Sequence, residues 1–189
     1  GLASYGKPVY MDEFNKMCRL TDDGYELDLT WFQFFAERPT RYSDKFITAF
    51  GAPRKAESEI TKRDEDIAAS LQEMLELAIL HLARLAHKKA GMKTLCMAGG
   101  VTLNCSANGR LLREGPFENY FFQPASGDAG TSLGAALYVN HVMEGRPRDS
   151  ARMLLEYLGP RHTMDEVLDT LEKGGIPYLK PADPWETAG

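Results

Sequence analysis

The sequence has few cysteines, no excess of basic over acidic residues and no long apolar run, and each of these features argues against a class of protein. Its three cysteines, Cys18, Cys96 and Cys105, are an odd number without C-x-x-C spacing, which argues against a disulfide framework and a cysteine-rich metal site. A formal net charge of −5 provides no basic stripe, so we expect no nucleic-acid partner. No segment approaches the roughly 20 apolar residues of a membrane span, and no signal peptide is apparent, so we expect a cytoplasmic protein without a membrane contact.

What is present is the composition of an ordinary globular protein. The 189 residues are 43% hydrophobic and 26% charged, which is enough apolar material for one good core. An exposed connector with the sequence Arg146-Pro147-Arg148 follows Gly145. We therefore expect one domain over residues 1–145 and a connecting segment over residues 146–189.

One long helix is predicted from Lys62 to Ala90. Thr61 can cap its start, acidic residues follow in the first turn, and Gly91 can end it. Its histidines, His81 and His87, are six apart and do not share a face, so we interpret them as boundary residues and not as a metal pair. The spacing predicts a buried stripe of Ile67, Leu71, Met74, Leu75, Ala78, Leu82 and Leu85.

The stretch from 94 to 142 carries most of the chemical information. An uncharged run, Thr94–Ala98, predicts a strand buried on both faces, and Gly99-Gly100 ends it. Residues 120–122 predict a second strand, followed by the loop PASGDAG at 124–130. Two helices complete the unit. Inward residues are predicted at Leu103, Ala107, Leu111 and Leu112 in the first helix, and at Leu133, Ala136, Leu137 and either Val139 or Asn140 in the second.

Two loops of this unit are expected to face one site. In an α/β layer, ligands collect outside the carboxyl ends of parallel strands, where Gly99-Gly100 and the loop 126–130 would both lie. Glycines let a ligand approach the backbone, and the N–H groups at a helix start attract phosphate. An anionic ligand, such as a nucleotide, fits this pattern, and so does a plain glycine turn.

Single residues around these loops also have structural interpretations. Asn104 and Asp128 each precede a predicted helix, where each could act as an N-cap. Cys96 lies in the predicted strand and Cys105 lies just after the glycine turn, but no histidine is placed to activate either thiol. We therefore interpret both cysteines as packing residues.

The phrases MAGGVTLN, SAN and FFQPASGDAGTSLGAAL closely resemble the O-carbamoyltransferase family, which includes nodulation-factor and antibiotic carbamoylating enzymes. The resemblance continues in GLASYG at the start, GAPR at 51–54, DIAASLQ at 66–72 and YLGP at 157–160. It implies an α/β fold of the actin-like ATPase (RNase H-like) type, with a mixed sheet flanked by helices. This chain would be the second lobe, and the first lobe and a C-terminal domain would lie outside it.

The resemblance also implies roles for particular residues. Asp128 would coordinate a divalent metal, Fe or Mg, whose other ligands lie outside this chain. Arg54 is either a solvated residue of a turn or, as the resemblance of GAPR implies, a contact to an anion or to the adjoining lobe, and the same two alternatives stay open for Gln72. No catalytic side chain is identified. The implied nucleotide-binding residues are Gly99, Gly100, Val101, Asn104, Asn108 and Gly127.

The implied reaction is the transfer of a carbamoyl group from carbamoyl phosphate to a hydroxyl of a small-molecule or sugar acceptor, using ATP and passing through carbamoyl adenylate. The isolated chain is expected to be inactive, because it holds one metal ligand and one side of the cleft. Two alternatives stay open. One is a lobe of a tRNA threonylcarbamoyl-transferring protein, against which LNC at 103–105 counts, and the other is a non-catalytic packing or dimerisation domain.

The isolated chain is predicted to self-associate, with a homodimer as the simplest product. If it is one lobe of a larger domain, the face that meets the other lobe is exposed and partly apolar. Sedimentation velocity over a concentration series tests this prediction. A strict monomer at the highest concentration would contradict it.

Overall fold

The computed structural model describes residues 1–33, 41–148 and 159–179, and the chain divides into two compact units, 1–148 and 149–189. Tyr157 and Leu158 of the YLGP phrase lie outside the described residues. Among the described helices, none has the length and apolar character needed to cross a bilayer. The helices are α1 (Met11–Met17), α2 (Asp44–Phe50), α3 (Lys62–Ala90), α4 (Cys105–Glu114), α5 (Thr131–Tyr138) and α6 (Met164–Lys173), and the strands are β1 (Cys18–Thr21), β2 (Gly24–Leu27), β3 (Thr94–Met97) and β4 (Asn119–Phe122).

Helix α3 has the predicted bounds, and its ends have the predicted chemistry. Thr61 and Asp64 form a capping box, in which the Asp64 carboxylate accepts from the Thr61 N–H at 2.8 Å and from its hydroxyl at 2.7 Å. At the other end Gly91 is left-handed, with φ of 62°, and its N–H donates to the His87 carbonyl at 2.8 Å. Both ends of the helix are therefore set by local sequence.

Two apolar clusters pack against different parts of α3. The first contains Met74 of the helix, and the second contains Leu80 and Ala83. One helix therefore joins both parts of the core. The other buried members are Phe14, Met17, Cys18, Trp31 and Phe50 in the first cluster, and Leu111 and Phe117 in the second.

The α/β class is confirmed, but the sheet differs from the prediction. The described residues form two separate two-stranded sheets in place of one mixed sheet. Strands β1 and β2 pair antiparallel, with Cys18 opposite Leu27, and β3 and β4 pair parallel, with Thr94 opposite Asn119. Two strands cover little area, so each pair depends on the helices for its stability. The actin-like assignment stays a prediction.

The predicted burial of β3 on both faces is wrong. Leu95 and Met97 point toward the second cluster, whereas Thr94 and Cys96 are exposed. The sheet is covered on one face, so side chains alternate in burial with a period of two. Cys96 is therefore not the packing residue that we expected, and Cys105 is also exposed.

Several predicted inward positions of α4 and α5 are also wrong. Ala107 and Leu111 are buried, but Leu103 and Leu112 are more than half exposed. Leu103 lies in a 3-10 turn, Gly100–Leu103, before the α-helix begins, so it does not share the helical face. No residue of α5 is fully buried; Leu133 is half-buried, and the other residues of the helix are exposed.

The buried face of α3 is rotated from the predicted stripe. Leu71 and Leu82 are exposed, and of the predicted set only Met74 is fully buried. The small residues Ala69 and Ser70 are buried instead, because the N-terminal segment lies over them and the Tyr10 N–H donates to Ser70 Oγ at 3.1 Å. His81 and His87 are partly buried, as predicted.

Replacing Leu111 by Ala is predicted to lower the free energy of unfolding by about 2–5 kcal/mol, because Leu111 is fully buried in the second cluster. Leu112→Ala is the matched control, since Leu112 is 55% exposed on the same helix. Its effect should stay within about 0.5 kcal/mol. Urea denaturation measures the free energy of unfolding of both variants. Equal losses would contradict the orientation of α4, in which Leu111 is buried and Leu112 is exposed.

Candidate functional site

The two loops predicted to share a site do lie at one edge of the β3–β4 sheet. The Gly99 N–H donates to the Ser126 carbonyl at 2.8 Å, and the Gln123 N–H donates to the Met97 carbonyl at 3.0 Å. Because the strands are parallel, the chain leaves both of them at the same edge. The predicted convergence of the loops is confirmed.

Gly99 makes the turn that ends β3. Its φ of 100° and ψ of 157° lie in a region that is essentially restricted to glycine. The turn continues into the 3-10 segment Gly100–Leu103, where the Thr102 N–H donates to the Gly99 carbonyl at 2.9 Å. Thr102 is buried, while Gly100 and Val101 are exposed. The turn therefore presents backbone to solvent at the edge of the sheet.

Helix α4 begins directly after this turn. Asn104 is its N-cap, as the sequence predicts. The Asn104 side chain accepts from the Ala107 N–H at 3.0 Å. Within the described part of the chain, the backbone N–H groups of the exposed residues Cys105 and Ser106 have no acceptor. Free N–H groups at the positive end of a ten-residue helix favour an anion.

The Asn104 amide is also paired with Gln72 of α3. Gln72 Nε2 donates to Asn104 Oδ1 at 3.0 Å, and Asn104 Nδ2 donates to Gln72 Oε1 at 2.8 Å. The Asn104 oxygen thus accepts from two donors, Gln72 and Ala107. The implied role of Asn104 in nucleotide binding is therefore limited to its amide N–H groups, because its oxygen is already used within the protein.

Arg110 of α4 strengthens the contact between the two helices. It donates to Glu73 at 2.9 Å, to Glu76 at 3.0 Å and to Glu114 at 3.1 Å. The hydrogen bond to Glu73, together with that to Glu76, raises the pKa of Arg110 above its ordinary value, although burial opposes the shift. Glu76 also accepts from Gln72 at 2.6 Å, so this cluster connects to Asn104.

Asn108 and Ser126 lie behind the loops. Asn108 Nδ2 donates to the Thr102 carbonyl at 2.7 Å, which holds the glycine turn against α4. The other atom of that amide, Oδ1, and the Ser126 hydroxyl are buried without a hydrogen-bond partner among the described residues. The sequence does not mark Ser126 as a site residue, because a serine in a glycine-rich loop has no distinctive pattern.

Asp128 is exposed in a short 3-10 turn, Asp128–Gly130, that precedes α5. It does not act as an N-cap, because the cap positions of this turn and of α5 are Gly127 and Gly130. No described residue forms a hydrogen bond or an ion pair with its carboxylate. The described residues also contain no group of three or more side chains that could hold a metal ion.

Close contacts fix the backbone of this second loop. A Cβ on Gly130 would lie 1.9 Å from the Ala125 carbonyl oxygen, so the loop folds tightly on itself. A Cβ on Gly127 would lie 3.3 Å from Leu103, which places the two loops in near contact. The carboxylate of Asp128 therefore projects from a tightly folded loop.

Arg54 contacts its own loop in the structure. One guanidinium nitrogen donates to the carbonyls of Lys55, at 3.3 Å, and Ser58. These bonds fold the segment before α3. A contact of Arg54 with an anion or another lobe stays a prediction.

An open apolar groove of about 330 Å³ runs along α3 beside the glycine turn. Val101 lies at its edge, and Leu71 and Leu82 of α3 form one wall. This groove explains why the predicted α3 stripe contains exposed leucines. The opposite wall comes from Phe14, Met17, Cys18, Tyr25, Leu27 and Phe32.

The sequence profile of the carbamoyltransferase N-terminus family matches residues 1–137. The chain belongs to this family. The match includes the glycine turn, α4 and the Asp128 loop, so the whole candidate site lies within the family region.

Relatives in other organisms show the same likeness over most of the chain. It is 46% identical to the uncharacterized protein sll1178 of Synechocystis over 92% of its length, and 40% identical to nodulation protein NolO of Bradyrhizobium diazoefficiens over 85%. It is 36% identical to nodulation protein NolNO of Sinorhizobium fredii over 89%. The alignments cover 29%, 27% and 23% of these proteins, so the chain spans less than a third of each relative.

Gly99→Ala is predicted to lower the free energy of unfolding by about 1–3 kcal/mol, because alanine does not tolerate the observed backbone angles. Gly100→Ala is the matched control, since its φ is not positive and a Cβ there would meet no atom within 4 Å. We expect it to cost less than about 1 kcal/mol. Chemical denaturation measures the free energy of unfolding of both variants. A larger loss for Gly100→Ala than for Gly99→Ala would contradict the assignment of the restricted backbone angles to Gly99.

Proposed function

We propose that this chain forms part of the transfer site of an ATP-dependent O-carbamoyltransferase. The donor would be carbamoyl phosphate, the intermediate carbamoyl adenylate, and the acceptor a hydroxyl of a small molecule or sugar. The chain would be the second lobe of an actin-like ATPase domain. The first lobe and a C-terminal domain would complete the site.

The observation that carries this proposal is the 2.8 Å hydrogen bond from the Gly99 N–H to the Ser126 carbonyl. It joins the glycine turn to the Asp128 loop at the carboxyl edge of two parallel strands. Phosphate-binding and metal-binding groups would then face one ligand. Membership in the carbamoyltransferase family supplies the reaction class.

In this proposal the chain binds and orients the nucleotide. The free N–H groups of Cys105 and Ser106 would hold a phosphate at the start of α4, and the exposed backbone of Gly99 and Gly100 would allow close approach. During transfer the hydroxyl oxygen of the acceptor would bond to the carbamoyl carbon, and its proton would pass to water. The bond between that carbon and the phosphate oxygen would break, and AMP would leave with the electrons of that bond. Fixed N–H donors would stabilise the negative charge on the leaving phosphate.

Asp128 would hold a divalent metal, Fe or Mg. An exposed carboxylate without a described partner suits a hard cation, but it supplies one ligand. The remaining ligands would come from outside the described residues. A bound cation would supply positive charge next to the nucleotide phosphates.

The test is Asp128→Asn in the full-length protein. We predict that the variant loses bound metal, and that carbamoyl transfer falls by more than about 100-fold, because the loss of a direct ligand should exceed that of a supporting residue. With metal removed from both proteins by a chelator, the thermal midpoint of the variant should equal that of the parent, since the exposed carboxylate has no described protein partner. Metal content, midpoint and transfer to a hydroxyl acceptor are measured on the same preparations.

Glu118→Gln is the matched control. Glu118 is an exposed acid one strand away and pairs with Lys93 at 2.9 Å on the surface. This variant loses the same charge, and it should keep both metal and turnover. If Asp128→Asn also keeps its metal and turnover, the metal assignment fails.

A further inference from the structure

The orientation of the Asn104 amide is fixed by the atoms around it. The Ala107 backbone N–H lies 3.0 Å from Asn104 Oδ1, and a backbone N–H can only donate. The amide atom facing it must therefore be the oxygen. The other atom, Nδ2, consequently faces Gln72 and donates to its Oε1 at 2.8 Å.

The orientation of the Gln72 amide is fixed in the same way from its other side. Gln72 Nε2 lies 2.6 Å from Glu76 Oε1, and an ionised carboxylate can only accept. The other oxygen of the same carboxylate, Oε2, accepts from Arg110 at 3.0 Å, so Glu76 forms an ion pair with that guanidinium. Both side chains are mostly buried, so this pair is shielded from solvent.

Together these contacts leave Asn104 one hydrogen-bonding group for a ligand. Its oxygen has two lone pairs, which accept from Ala107 and Gln72. One of its two amide hydrogens is donated to Gln72. The second amide hydrogen has no partner among the residues that the structure describes.

We propose that Asn104 acts on its ligand solely as a hydrogen-bond donor, and that Gln72 is the positioning residue that imposes this role. Glu76 and Arg110 hold Gln72 in turn. The ligand atom opposite Asn104 is then an acceptor, such as an oxygen of a phosphate, a carbonyl or a ribose. The inference rests on the proposed function for the identity of that ligand, ATP.

A double-mutant cycle on the full-length protein tests this, with ATP affinity measured by calorimetry. Asn104→Ser keeps a neutral N-cap but removes the amide donor. Gln72→Met keeps the length and helix propensity of the side chain but removes its amide. We expect Asn104→Ser to weaken ATP binding about tenfold and Gln72→Met about threefold, consistent with the loss and the misorientation of one hydrogen bond.

The double variant separates positioning from general stability. If Gln72 acts only through Asn104, Gln72→Met will not weaken ATP binding further in the Asn104→Ser protein. Arg84→Met is the control, because Arg84 is exposed on the same helix, receives the same new side chain and takes no part in the hydrogen bonds that lead to Asn104. It should keep the parent affinity. Thermal midpoints are measured first, and affinities are compared at a temperature at which every variant is folded.

The possible failures are distinguishable. Parent affinity in Asn104→Ser would overturn both this inference and the nucleotide site of the proposed function. A loss in Asn104→Ser with no effect of Gln72→Met, or with independent and additive effects, would overturn the role of Gln72 alone. In that case the nucleotide site would stand.

Discussion

Burial of α3 against two apolar clusters is the interaction on which the rest of the first unit depends. Met74 packs into the aromatic cluster, while Leu80 and Ala83 pack beneath the β3–β4 sheet. A two-stranded parallel sheet has little stability by itself, so its position is set by the helix that it covers. The helix therefore also sets the positions of the glycine turn and the Asp128 loop, because both leave the same edge of the sheet.

The same helix contributes polar contacts to the candidate site. Gln72 pairs with the cap of α4, and Glu73 and Glu76 bind Arg110 from that helix. The start of α4 is thus fixed from two directions, by the glycine turn and by α3. A site that stabilises charge through fixed N–H groups needs this kind of support, because a mobile donor must be reordered when the ligand binds.

Local chemistry determined what could be predicted from the sequence. The capping residues gave the bounds of α3, and Gly99 marked the end of β3, because each signal resides in a few neighbouring residues. The buried faces were predicted less well, since burial depends on distant partners such as the segment over Ser70. The pairing of Gln72 with Asn104 joins residues 32 positions apart, and neither residue's local sequence indicates it.

We propose that the two loops at the carboxyl edge of β3 and β4 bind the nucleotide of a carbamoyltransferase. Photocrosslinking of the full-length protein with a photoreactive ATP analogue, followed by peptide mapping, shows whether these loops contact the nucleotide. We expect labelling within residues 98–108 or 123–130 that unlabelled ATP suppresses. Suppressible labelling confined to other parts of the protein, with neither loop modified, would contradict it.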